Sequence, residues 1–313
     1  MNILVTGGYG FKGSNFIRYV ETIDDVDVII NIDNITSTAN TKNVPRSKKI
    51  KHFTVDLNNR DVLANIIKNY QITHVGHFAE LNEINTKSNL EFHKTNISST
   101  INLLEVCSTF SNVKKVFYSS TSNIYGDLKL YNNKITEASA YNPIGSYATS
   151  KAACNIIVKD YFNRVPVIIG NSCNVFGPNQ NKLKFIPNII SSALNNTTVP
   201  VYGLGLNIRD WLYVEDYCHA VWRLLVHESV NSDEYNITSS NELSNLQIIE
   251  LLCTIFNKKP ETFVNYVTDI DNHIIRNTSC NSKLIGVIGE FVYNNLLDAL
   301  QRTVNYQSQL SVQ

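Results

Sequence analysis

The stretch ILVTGGYGFKGSNF near the N-terminus constrains the fold more than any other part of the chain. A short apolar run suited to a strand passes into glycines at Gly7, Gly10 and Gly13, and an amphipathic segment follows at once. Glycine is needed where a backbone must turn sharply and lie close to its neighbour. The same alternation continues downstream. Strands are predicted at residues 2–6, 28–32, 51–55, 74–77, 115–119 and 167–171. Between them, segments 13–20, 62–69, 96–110 and 147–162 carry apolar residues at helical spacing. This pattern predicts a parallel sheet covered on both faces, with the C-terminal ends of the strands along one edge. After Gly170 the pattern loosens, punctuated by Pro178, Pro187 and Pro200, with further helices expected at 245–256 and 290–306.

Bulk properties narrow the class. At 313 residues and 43% hydrophobic, the chain can bury a full core. Lys+Arg and Asp+Glu are 27 each, which argues against a nucleic-acid or membrane-surface role. Cys107, Cys154, Cys173, Cys218, Cys253 and Cys280 are scattered, with no CxxC pair and no histidine at metal spacing. They read as thiols of a reducing compartment, with no metal site. The chain opens directly on a strand, leaving no room for a signal peptide, and no apolar run approaches the roughly 18 residues of a membrane span. The expectation is a soluble, cytoplasmic protein.

The glycines have GxxGxxG spacing between a strand and a helix, and Asp33 ends the second strand about 20 residues on. Such a turn lets the backbone approach a pyrophosphate whose charge the helix N-terminus stabilises, while the carboxylate accepts from an adenosine ribose. A carboxylate there repels a 2′-phosphate, so NAD is expected and not NADP. The fold class predicted is therefore α/β: a Rossmann-like doubly wound parallel sheet with a smaller interleaved α/β substrate domain. Cofactor contacts are expected from Gly7, Gly10, Phe11, Lys12 and Gly13 in the turn. Further ones are expected at the strand ends, from Asp33, Asn34, Asp56, Leu57, Phe78 and Ala79. Lys12 either meets the phosphates with its charge or lies along the surface with its stem packed.

The second motif is SYATSKAA, which puts Tyr147 and Lys151 on one face of a helix. A phenol beside an ammonium and a cationic nicotinamide can take the proton of a sugar hydroxyl while hydride leaves the same carbon. Thr121, ending the fifth strand, can hydrogen-bond that hydroxyl.

Taken together, TGGYGFKGSNF, HFAE, SSTSNIYGDL, SYATSKAA, NSCNVFGP, KFIP, RDWLYVEDY and the late His273-x-x-Arg276 resemble the extended short-chain dehydrogenases/reductases that act on nucleotide sugars, the 4,6-dehydratases above all. The resemblance covers nearly the whole length. It implies a cofactor domain of residues 1–170, with 199–235 returning to it, and a nucleotide-sugar domain of 171–198 and 236–313. It also implies that Arg209, Asn241, His273 and Arg276 gather around the diphosphate and base of a UDP- or dTDP-hexose. By the same resemblance Asn174 and Lys184 approach the sugar–phosphate, and Pro200 and Tyr202 pack on the base or on each other. The plain alternative for Arg209 is a salt bridge to Asp210 or Glu215. A homodimer through helices 96–110 and 147–162 is implied by the resemblance alone.

One departure matters. Such dehydratases carry an Asp–Glu pair after the threonine, to remove the C5 proton and protonate the C6 oxygen. This chain has Ser122 and Asn123 there, neither of which titrates usefully. One reading is a 4-epimerase, for which Thr121, Tyr147 and Lys151 suffice. The other keeps the elimination, with substitute groups such as Glu80 or Glu83 after the fourth strand, and with inversion at C5. A third is an NAD-binding sensor without catalysis. The dehydratase is preferred because YGDL, KFIP and RDWLYVED resemble that group more than the epimerases. UDP-N-acetylglucosamine is the leading substrate.

Overall fold

The computed structural model describes residues 1–36, 38–82, 88–129, 135–269 and 273–311. Its main sheet begins with Asn2–Thr6 (β1), Val28–Asp33 (β2), Ile50–Thr54 (β3), His74–His77 (β4), Lys115–Thr121 (β5) and Val167–Ser172 (β6). The chain then leaves it for Asn174–Phe176 (β7), Val199–Tyr202 (β8) and Ile208–Tyr213 (β9), and returns for Asp233–Ile237 (β10). Across the main sheet the order is β10-β6-β5-β4-β1-β2-β3, and every pairing is parallel. Glu242–Ser244 (β11), Val264–Val267 (β12) and Arg276–Asn277 (β13) complete two small sheets, with β11, β13 and β7 beside β9, and β12 beside β8.

Helices cover both faces. Phe11–Glu21 (α1), Arg60–Asn69 (α2), Asn89–Phe92 (α3), Ser98–Cys107 (α4) and Ser146–Asp160 (α5) belong to the first half. Phe185–Asn195 (α6), Val214–Val226 (α7), Asn245–Phe256 (α8), Ser282–Ile288 (α9) and Leu296–Ser311 (α10) follow. Strand alternation explains the layering. Ile3 and Val5 of β1 enter a core with Phe16 and Val20 of α1 and Leu224 of α7. Leu4, between them, faces Leu63 of α2 and Leu103 of α4 on the other side. The first of these cores runs on through Ile189 of α6 and Ile249 of α8, so the smaller sheets share one apolar interior with the larger.

Residues 199–213 lie in the small sheets, and the return to the main sheet is made by α7 and β10. Two helices differ from the expected spans. The segment expected as a helix from 96 begins inside a widened turn at His93–Ile97, before α4. There Asn96 donates to Leu81 O (3.0 Å) and Ser150 Oγ (3.1 Å) and accepts from Leu81 N (2.7 Å), and this buried amide overrides regular spacing. The helix expected from 290 starts at Leu296, because Asn295 Oδ1 accepts from Leu297 N at 3.0 Å and caps it there. Among the described residues no helix is long and apolar enough to cross a membrane, and no group of metal ligands occurs.

Candidate active site

The glycine turn is built for close approach. Gly7 has φ +68°, and a Cβ on Gly13 would stand 2.3 Å from the Gly7 carbonyl oxygen. That oxygen accepts from Gly10 N at 3.0 Å, which closes the turn. Asp33 is fastened nearby, its oxygens accepting from Tyr9 N (3.0 Å) and Ile35 N (2.8 Å). A cavity of about 120 Å³ opens here, lined by Gly7, Gly10, Asp33, Asn34, Asp56, Leu57, Phe78 and Ala79. It shares Gly7, Gly10, Phe78 and Glu80 with a larger cavity of about 820 Å³. The two form a path from Asp33 to Tyr147 in which only glycine permits the backbone approach at position 13. These residues fit an extended dinucleotide.

The larger cavity receives Thr121 and Asn123 from the end of β5, Tyr147 from α5, and Phe11, Lys12 and Gly13 from the turn. Its outer wall includes Asn174 and Lys184. Tyr147 and Lys151 lie one turn apart on α5, both buried. Lys151 Nζ donates to Ser119 O at 2.6 Å and pairs with Glu80 Oε2 at 2.9 Å. Tyr147 donates to Glu80 Oε1 at 3.1 Å. Glu80 thus bridges the phenol and the ammonium. Burial works to raise the pKa of its carboxyl, but Lys151 and Lys12 outweigh that and hold it below the ordinary glutamate value.

Ser122 turns away from this centre. It is buried, and its Oγ donates to Asn277 Oδ1 of β13 at 2.6 Å. Thr121 Oγ1 accepts from Asn123 N at 3.3 Å. Glu83 lies outside the described residues. Lys12 donates to Ser172 Oγ at 2.7 Å and lies over the Tyr217 ring, 5.2 Å from its centroid. Burial lowers its pKa to about 8, against the opposing pull of Glu80.

The remaining candidates lie on and around the two small sheets, outside the lining of the large cavity. Arg209 makes no salt bridge with Asp210 or Glu215; its guanidinium donates to the carbonyls of Ile208 (2.8 Å) and Ile274 (2.9 Å). Arg276 pairs with Glu242 at 2.6 Å and His273 with Asp269 at 2.6 Å, while Tyr202 meets His273 edge-on. Tyr202 and Pro200 are exposed on β8. Asn241 borders a separate depression with Tyr293. Sequence reasoning missed the far wall of the large cavity, where Gln180, Phe185, Trp211 and Tyr306 stand. They come from four separate segments, so no spacing in the chain announces them.

A glycine turn at a strand end, a fastened carboxylate and a Thr–Tyr–Lys set on one sheet edge define an extended short-chain dehydrogenase/reductase. Residues 3–238 match the model of the NAD dependent epimerase/dehydratase family. The dTDP-glucose 4,6-dehydratase of Haemophilus influenzae is 35% identical, covering 98% of this chain and 97% of that one. The crystal structure of the dTDP-glucose 4,6-dehydratase of Bacillus anthracis in complex with NAD superposes with a TM-score of 0.90 at 32% identity, over 99% of this chain and 97% of that one. That of the Streptomyces venezuelae enzyme, with NAD and TYD bound, gives 0.91 at 27% identity over the same shares. The chain belongs to the NAD dependent epimerase/dehydratase family.

Proposed function

We propose that this chain is an NAD-dependent nucleotide-sugar 4,6-dehydratase, a lyase that oxidises C4 of a hexose, eliminates water across C5 and C6, and reduces C6. The carrying observation is that Thr121 and Tyr147, with Lys151 beside them, converge on the cavity that the glycine turn also lines. NAD, when bound, supplies the hydride acceptor for C4 and the donor for C6. Gly7, Gly10 and Gly13 make room for its pyrophosphate, and Asp33 with Asn34 accepts from its adenosine ribose. Asp56, Leu57 and Ala79 enclose the adenine side. In its phenolate form Tyr147 Oη takes the proton of the C4 hydroxyl, Thr121 Oγ1 bonds the same oxygen, and Lys151, anchored on Ser119, supplies the neighbouring cation.

The substrate class is a UDP- or dTDP-hexose. In this reading Asn174 and Lys184 face the sugar–phosphate. Arg209, Asn241, His273 and Arg276, with Pro200 and Tyr202, serve the diphosphate and base. Residues 1–170 with α7 and β10 hold the cofactor, and the small sheets with their helices hold the nucleotide sugar. The product is a 4-keto-6-deoxy sugar for glycan assembly, with C5 inverted. The thiols of all six cysteines are free, which supports a reducing, cytoplasmic setting. Exposed Ile156, on the outer face of α5, supports a homodimer.

The test is incubation with dTDP-glucose, UDP-glucose and UDP-N-acetylglucosamine in D2O, followed by mass and proton NMR. Loss of one water with deuterium at C5 is expected. The non-titrating Ser122 and Asn123 favour one rival, a 4-epimerase; a C4 epimer of unchanged mass would establish it. Turnover that survives Tyr147→Phe, or no turnover with any of the three sugars, would overturn the assignment, the latter in favour of an NAD-binding sensor.

A further inference from the structure

We propose that Glu80 is the base that removes the C5 proton, and that the same carboxyl then protonates the departing C6 hydroxyl. The inference rests on the dehydratase reading and names the titrating group that Ser122 and Asn123 do not provide. Three observations carry it. Glu80 is the only carboxylate among the described residues that line the large cavity. Its Oε1 lies 3.1 Å from Tyr147 Oη. A sugar C4 oxygen bonded to that phenol sits about 2.7 Å from it, and C5 is two bonds from that oxygen, so the carboxylate stands beside the carbon that must lose its proton. Its other oxygen is held at 2.9 Å by Lys151, itself anchored on Ser119 O, which fixes the direction of the free lone pairs.

The competing groups are less suited. Ser122 Oγ is committed to Asn277. Burial raises the Cys173 thiol well above its ordinary value, so it stays protonated at neutral pH. Lys12 is a cation hydrogen-bonded to Ser172. Glu80, by contrast, is ionised and ready to accept.

The step balances within the site. The C4 ketone acidifies C5, and Tyr147 Oη, protonated in the preceding step, donates to the carbonyl oxygen and stabilises the charge that builds on it. The C5–H bond breaks and its proton moves to Glu80. The electron pair becomes the C5=C6 bond as the C6–O bond breaks. The leaving hydroxyl recovers the proton from Glu80 and departs as water, restoring the carboxylate with no outside acid or base.

The experiment compares wild type, Glu80→Gln and Glu80→Asp with dTDP-glucose, UDP-glucose and UDP-N-acetylglucosamine. It follows two signals separately: reduced nicotinamide for C4 oxidation, and mass loss with C5 deuterium for elimination. Glu80→Gln is expected to lose elimination by about 100-fold or more beyond any fall in C4 oxidation, while Glu80→Asp recovers part of it. Elimination at the wild-type rate in Glu80→Gln overturns the role of Glu80 and leaves the dehydratase reading standing. Equal loss of both signals in a Glu80→Gln protein that melts like wild type also overturns it, since Glu80 would then act on the cofactor or on Tyr147 alone. If wild type yields only a C4 epimer, the dehydratase reading falls, and the role of Glu80 falls with it.

Discussion

Lys12 brings an ammonium into the floor of the cavity, and its environment fixes the sign of a pH effect. Its pKa in the folded chain is about 8 against an ordinary 10.5. Below pH 8 both the folded and unfolded states are protonated, so the folded state bears the full cost of the buried charge. Between about 8 and 10.5 the folded state sheds the proton first, and stability rises with pH through that window. Lys12→Met keeps the stem and removes the charge. Urea unfolding of the cofactor-free protein should show it more stable than wild type at neutral pH by on the order of 3 kcal/mol, with the gap closing near pH 10. A gap that widens toward pH 10 would contradict the argument. Residues of this kind also mark where the sequence stops being readable. Asp33 and the Tyr147–Lys151 pair are legible because a strand end and a helical turn dictate where they point. The bridge from Glu80 to Tyr147 spans 67 positions, and Arg209, placed by resemblance near a diphosphate, gives two of its donors to the backbone carbonyls of Ile208 and Ile274. Such pairings are decided by packing between elements.

Elements themselves were readable where local chemistry sets their ends. Helix α8 occupies the expected span because Ser244 and Gln247 form a reciprocal cap: Ser244 Oγ accepts from Gln247 N at 3.1 Å and Gln247 Oε1 from Ser244 N at 2.8 Å. Ser244→Ala should lower stability by about 1 kcal/mol, read as a smaller urea midpoint with an unchanged slope. A change under a few tenths would mean that β9 and β11 hold the helix end without the cap. Spans failed where the cause was distant. The turn at His93–Ile97 answers to Leu81 and Ser150, and neither partner is visible from the helical period. The start of α10 at Leu296 follows from Asn295 and from Asn294 N, which donates to Asp216 Oδ2 at 3.1 Å.

For the whole molecule, the parallel alternation in the first half was enough to fix the sheet and the edge that bears the site. It could not fix how β7 to β9 leave and β10 returns, since loose, proline-punctuated sequence carries little periodicity. What the folded chain leaves uncovered bears on assembly. On α5 the inward residues Lys151, Cys154, Asn155 and Val158 are buried, while Thr149, Ile156 and Asp160 face out, and Ile156 is 63% exposed. A two-fold pairing of this helix with its copy in a second chain would bury that isoleucine on both sides. Ile156→Asp places like charges across such an axis without touching the core. Sedimentation equilibrium should therefore show a wild-type dimer and a mostly monomeric Ile156→Asp variant with unchanged far-UV dichroism. Because α5 also carries Tyr147 and Lys151, the monomer should bind NAD more weakly than the dimer through loss of rigidity in that helix. A wild-type monomer, or a variant that remains dimeric, would remove α5 from the interface and leave its exposed isoleucine without a role in assembly.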